Sequence, residues 1–238
     1  MTTPSPALAE LLTHRHLWRG TDLARSAQET TSTGFAALDA ELPGGGWPVG
    51  ALTELLLSHE GIGELRMVGR ALAALSRKDG RIAWIAPPYR PFAPAITAAG
   101  IALENLVIVN TRSARDTQWA AEQALSSGAC AAVLAWLPQT GREESFTVLR
   151  RLQLAAEAGH GLAFLFRPPR VAKDSTPAAL RISVETQRGG LALRILKRRG
   201  PPLATPVVLS AFPRQHALDR ASFPAPAAGL FPARLAAV

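Results

Sequence analysis

The 238-residue chain holds one cysteine, three lysines and no apolar run of the roughly 18 residues that a membrane-spanning helix needs. A lone Cys130 excludes an internal disulfide. Its setting, Ala-Cys-Ala-Ala-Val-Leu, is that of a buried strand, so an inert core thiol is expected. Met1–Glu10 has neither the basic start nor the apolar run of a signal peptide, and a cytoplasmic location is expected by default. His14 and His16 lie too close together and lack cysteine or carboxylate partners, so no metal site is expected. The three lysines are Lys78, Lys173 and Lys197, and their positions matter for the next feature.

Residues 52–66 read as a strand, a glycine-containing loop and the start of a helix. That is the frame of a phosphate-binding loop. Such a loop needs glycines that expose backbone N–H groups, then a lysine and a Ser/Thr for phosphate and Mg²⁺. Ser58, Gly61 and Gly63 are present, but Glu64 stands where the lysine or Ser/Thr belongs, and Glu60 adds a second carboxylate. Two anions beside a triphosphate repel it. No catalytic residue and no cofactor is therefore expected, and the frame points to a protein that binds other macromolecules.

The net charge is +8, carried by 26 basic and 18 acidic residues. Its distribution is uneven. From Arg167 to Arg199 there are nine basic residues against Asp174 and Glu185, which gives +7. A clustered basic surface is the footprint of a polyanion such as nucleic acid. The same pattern also suits a solvated face in an arginine-rich chain. Arg181, Arg188, Arg194, Lys197, Arg198 and Arg199 are the candidate contacts with DNA or an acidic partner.

Apolar strands alternate with helices through the middle of the chain. Strands are expected at Leu52–Leu57, Arg81–Ala86, Leu106–Val109, Ala131–Leu137 and Leu162–Phe166. Helices are expected at Glu64–Arg77, Pro91–Ala99, Ser113–Leu125 and Arg142–Ala158. Leu65, Val68, Leu72 and Leu75 form the apolar face of the first, and Ser113 with Asp116 resembles a capping box. This alternation requires a mostly parallel sheet flanked by helices on both faces, with the last four of those strands central. Gln187-Arg-Gly-Gly190 then signals a hairpin between Leu180–Thr186 and Leu191–Lys197. Three regions result: a helical leader at 1–30, an α/β core at 31–200 with the loop at 58–64 and the basic hairpin at 180–199, and a Pro/Ala-rich extended tail at 201–238. Phe212, Phe223 and Phe231 in that tail are candidate anchors for a partner.

Two stretches resemble known families. Ser32-Thr-Gly-Phe-Ala-Ala-Leu-Asp39 and Leu42-Pro-Gly-Gly-Gly-Trp-Pro-Val-Gly-Ala-Leu-Thr-Glu-Leu55 resemble the lead-in to the core of RecA recombinases. Leu55-Leu-Leu-Ser58, Ile82-Ala-Trp-Ile-Ala-Pro87, Ala132-Val-Leu-Ala-Trp-Leu137 and Gly161-Leu-Ala-Phe-Leu-Phe-Arg-Pro168 resemble the SulA cell-division inhibitors. The ImuA family carries both features, and the resemblance to it covers roughly residues 30–212. It implies a RecA-like fold and a non-catalytic accessory role in SOS-induced translesion synthesis. The partners it implies are an ImuB-type inactive Y-family polymerase homologue and an error-prone C-family DNA polymerase, with RecA and DNA as further ones. In a RecA core the strand matching Ala131–Leu137 ends at the metal-binding carboxylate. Here it ends in Trp136-Leu-Pro138, and Glu143 and Glu144 fall later, at the next helix. The other reading is a SulA-like inhibitor of FtsZ.

Overall fold

The computed structural model describes residues 29–137, 142–201 and 203–210, with side chains described outside 142–145. The leader to residue 28, Phe212, Phe223, Phe231 and the side chains of Glu143 and Glu144 lie outside the described residues.

The chain enters through a two-strand antiparallel pair, β1 (Thr30–Thr31) and β2 (Trp47–Pro48), around the short helix α1 (Ala36–Asp39). Asp39 closes this segment on itself. Its carboxylate accepts from the Thr33 N–H at 2.8 Å and from the Ser32 hydroxyl at 2.7 Å. Leu38, Leu42 and Trp47 are thereby delivered into the core. Arg70 stacks on the Phe35 ring, 4.4 Å from its centroid, and donates to the Gly34 carbonyl, which fastens the lead-in to the following helix.

The body then alternates: β3 (Ala51–Leu57), α2 (Glu64–Ser76), β4 (Arg81–Ile85), α3 (Ala93–Ala98), β5 (Leu106–Val109), α4 (Ala114–Ser126), β6 (Cys130–Trp136), α5 (Arg142–Gly159), β7 (Leu162–Arg167). After a 3₁₀ turn at Pro169–Lys173 come β8 (Leu180–Gln187), β9 (Gly190–Lys197) and β10 (Val207–Ser210). The eight strands β3–β10 form one sheet in the order β10-β9-β8-β3-β7-β6-β4-β5. Its six strands from β8 to β5 run parallel, and β9 and β10 add antiparallel. The expected α/β architecture with a mostly parallel sheet is thus present. All seven residues of β3 and all six of β7 are buried, as befits strands covered on both faces.

Alternate residues feed two cores. One, under α2, α3 and the lead-in, holds Leu55, Met67, Leu72, Trp84, Leu134 and Phe164. The other, under α4 and α5, holds Leu52, Ile85, Leu125, Leu149, Leu152 and Leu165. Trp47 meets Phe164 edge-on at 5.2 Å, and Trp136 stacks on Phe166 at 4.5 Å, so the first core carries an aromatic row. Among the described residues no helix is long and apolar enough to cross a membrane.

Three expectations are corrected. β5 is the sheet's edge rather than a central strand, because β4 lies between it and β6; Val107 and Ile108 are accordingly exposed. The buried stripe of α2 runs through Met67, Val68, Ala71 and Leu72, while Leu65 and Leu75 are only partly buried. Residues 207–210, assigned to the tail, form the opposite edge strand, with Val207 and Leu209 buried against β9. The alternation in Val-Val-Leu-Ser is too short to register amid prolines.

Ser113 makes the expected N-cap: its hydroxyl accepts from the Asp116 N–H at 3.1 Å. Ser113→Ala is expected to lower stability by about 1 kcal/mol, read from the midpoint of urea unfolding, with Ser113→Asp close to wild type.

Candidate functional site

The loop between β3 and α2 is closed by a carboxylate from the first residue of the following helix. Gly61 and Gly63 adopt positive φ of 80° and 109°, a conformation that favours glycine and turns the chain from strand to helix. Their N–H groups point inward, as in a phosphate cradle. Glu64, buried, reaches back with one oxygen 3.0 Å from the Gly61 nitrogen and the other 3.0 Å from the Gly63 nitrogen. The carboxylate sits where an anion would sit, held by charge-assisted hydrogen bonds at the positive end of a 13-residue helix. Ser58 lies apart from this contact, with its hydroxyl 3.0 Å from the His59 ring nitrogen.

The six candidate basic residues divide. Arg181 is buried, with 3% of its side chain exposed, and is thereby corrected from a surface contact to a core residue. Its Nε donates to Glu54 Oε2 at 2.7 Å, and Arg167 donates to Glu54 Oε1 at 2.5 Å. Glu54 itself is fully buried, in the middle of β3. Arg181 also donates to the carbonyls of Val171, Ala172 and Asp174, so it pins the connection from β7 to β8 over the sheet. Burial alone would raise the Glu54 carboxyl; the hydrogen bond and charge of Arg181, with the charge of Arg167, outweigh it and hold the group below the usual carboxylate range. Lys197 donates to the Thr176 carbonyl at 2.7 Å, and burial with the neighbouring Arg181 charge pushes its amine below the usual lysine range. Arg198 donates to the carbonyl and carboxylate of Glu41, joining the hairpin to the lead-in. Arg188, Arg194 and Arg199 are exposed. Four of the six basic groups are therefore at the surface, one of them, Lys197, tied to a backbone carbonyl.

A cleft of about 620 Å³ opens beyond the carboxyl ends of β3, β4, β5, β6 and β7. Ligands of open α/β sheets bind in this position. Its walls carry Arg112, Arg170, Trp136 and Phe166, and Glu60 is the one carboxylate among the described residues lining it. Ala86, also on the wall, has φ of 52°, in the left-handed region a non-glycine residue seldom occupies. Such strain concentrates at binding sites.

Two features escaped the sequence reading. A glutamate inside the apolar run Leu52–Leu57 signals a buried partner, and an arginine beginning the apolar β8 is the matching half. The second is the stretch Pro87-Pro-Tyr-Arg-Pro-Phe92, whose aromatics flank an arginine beside the cleft. Cys130 is partly buried; burial pushes its thiol up against the opposing Ser127 hydrogen bond and Arg81 charge, which suits an unreactive thiol.

Residues 50–163, from the start of β3 to β7, match the family model described as cell division inhibitor SulA. Cell division inhibitor SulA of Photorhabdus laumondii is 32% identical over 119 residues, 48% of this chain and 65% of the relative. Protein ImuA of Caulobacter vibrioides is 31% identical over 151 residues, 60% of each chain. SulA of Serratia proteamaculans is 27% identical over 139 residues, 58% of this chain and 80% of the relative. The chain is thus homologous to SulA and ImuA proteins, and the homology to ImuA supports the family resemblance read from its sequence. It spans less than two thirds of the Photorhabdus and Caulobacter relatives.

Proposed function

We propose that the chain is an ImuA-type accessory protein of the SOS response to DNA damage, built on a RecA-like core and without catalytic activity. The observation that carries this reading is Glu64, whose carboxylate fills the loop that a nucleotide-hydrolysing relative keeps for phosphate. A sheet whose first long strand lies inside, followed by a glycine turn and a helix, supports the RecA-like assignment. The homology to ImuA supports the biological setting. In this reading the protein joins an ImuB-type polymerase homologue and an error-prone C-family polymerase in translesion synthesis, with RecA as a further partner. The exposed Arg188, Arg194 and Arg199 contribute a contact with an acidic partner surface, and Phe212, Phe223 and Phe231 are partner anchors.

A second reading, a SulA-like inhibitor of FtsZ assembly, is favoured by the family model over 50–163 and by the SulA relatives. Deletion and overexpression in the host separate the two. Loss of damage-induced mutation on deletion, with normal division on overexpression, is the expected result. Filamentous cells on overexpression, with mutation unchanged on deletion, would overturn it in favour of the inhibitor.

A further inference from the structure

Beyond the hairpin, exposed basic groups and exposed aromatics meet at one further place. Arg112 and Arg170 both line the cleft at the carboxyl ends of the parallel strands, and both are exposed. Pro88 lines the same cleft, and the next residues, Tyr89, Arg90 and Phe92, are exposed beside it. Tyr89 and Phe92 leave 68% and 65% of their surfaces in solvent, the largest exposures among the described large hydrophobic residues. Within the cleft, the half-buried Trp136 stacks on the buried Phe166 with the rings 20° apart. Arg167, by contrast, is spent on Glu54 and adds no free charge.

We propose that this cleft and the Pro87–Phe92 loop at its rim bind single-stranded nucleic acid. Three arginines track the backbone phosphates, and Tyr89 and Phe92 provide faces on which bases stack. Sequence-tolerant single-strand binding has this composition, a basic groove interleaved with aromatic platforms. An acidic peptide would satisfy the arginines but would leave the two exposed rings without stacked planar partners. Glu60 is the only opposing charge among the described lining residues, and it stands on the loop side of the cleft, away from the rim arginine in sequence. Because Glu64 already occupies the loop N–H groups, the ligand meets the cleft through side chains and not through that loop. The inference does not depend on which polymerase partners the protein has.

Fluorescence anisotropy of labelled oligo(dT) 20-mer with the full chain tests it. Wild type is expected to bind at low salt. Tyr89→Ala with Phe92→Ala is expected to weaken binding at least about five-fold. Arg112→Ala with Arg170→Ala is expected to weaken it and to make the slope of log K against log salt shallower by about 1.4. Both pairs are exposed, and unchanged thermal unfolding checks that each variant folds. Arg77→Ala with Lys78→Ala, both exposed at the end of α2 and outside the cleft, serves as the comparator and is expected to keep wild-type affinity. The proposal is overturned if wild type does not bind, or if both cleft variants bind as wild type does. It is likewise overturned if an acidic peptide binds in place of the oligonucleotide with the same losses, which would make the cleft a protein-docking site.

Discussion

Glu54→Ala is expected to destabilise the protein by about 3–5 kcal/mol, the largest effect of any single substitution considered for this chain. The substitution strands two guanidinium groups in the interior. Arg167 and Arg181 expose 5% and 3% of their side chains, and each donates to a different oxygen of the same carboxylate. Neither cation can turn outward without loosening β7, β8 or the connection that Arg181 holds through three backbone carbonyls. Glu54→Gln keeps the shape and one acceptor oxygen but loses the charge, so it should fall between wild type and Glu54→Ala. Replacing all three residues with methionine removes the desolvation cost together with the attraction, and is expected to restore much of the stability. Equilibrium unfolding in urea measures all four. Equal midpoints for wild type and Glu54→Ala would show that the buried cluster contributes nothing. The pH dependence has a definite sign. The folded Glu54 carboxyl lies below its unfolded value of about 4.3, so its contribution is complete above that pH and disappears as pH falls through the lower folded value. Wild type should therefore lose stability in acid more steeply than the triple methionine variant does.

The parts of this fold that were legible in the sequence are those governed by local pattern. Apolar runs bounded by glycine and proline locate β3, β4, β6 and β7, and the Gln187–Gly190 turn locates the hairpin, because strand burial and turn chemistry act within a few residues. Strand order is a long-range property, and here the local pattern misleads. Leu106–Val109 is as apolar as an interior strand, yet crossover connections place it at the edge. The candidate site was legible in the same divided way. Glycines and a glutamate at 61–64 read in the sequence as an altered phosphate cradle; that Glu64 takes both glycine N–H groups is visible only in the fold. Counting arginines between 167 and 199 found a real excess of charge. It could not show that Arg181 answers Glu54 across 127 positions of chain, since ion pairing in the interior is decided by strand adjacency. The cleft was out of reach for the same reason: its walls come from the ends of five strands separated in sequence.

Glu64→Ala is expected to cost about 2–4 kcal/mol and, on the proposed non-catalytic reading, to leave Mg-ATP turnover at background. Two charge-assisted hydrogen bonds are lost together, each in the range of about 1.5–3 kcal/mol, and partial exposure of the loop lets water recover some of that. The helix α2 also loses an anion from its first turn, a smaller term of about 0.3–1 kcal/mol. Glu64→Gln retains an acceptor for one glycine N–H but presents an amide N–H₂ to the other, so it should recover less than half of the loss. Glu64→Lys is the discriminating variant. It places a cation in the loop, as a phosphate-binding loop requires, yet it supplies neither the hydroxyl for Mg²⁺ nor the metal carboxylate missing from the end of β6. Mg-ATP turnover by wild type and by all three variants is therefore expected to equal background. Turnover by wild type that vanished in Glu64→Ala would mean that the carboxylate serves chemistry rather than occupying the anion's place. Stability lost without any change in turnover would identify Glu64 as a permanent internal substitute for phosphate, holding the strand-to-helix turn in shape for a protein that works through its surfaces.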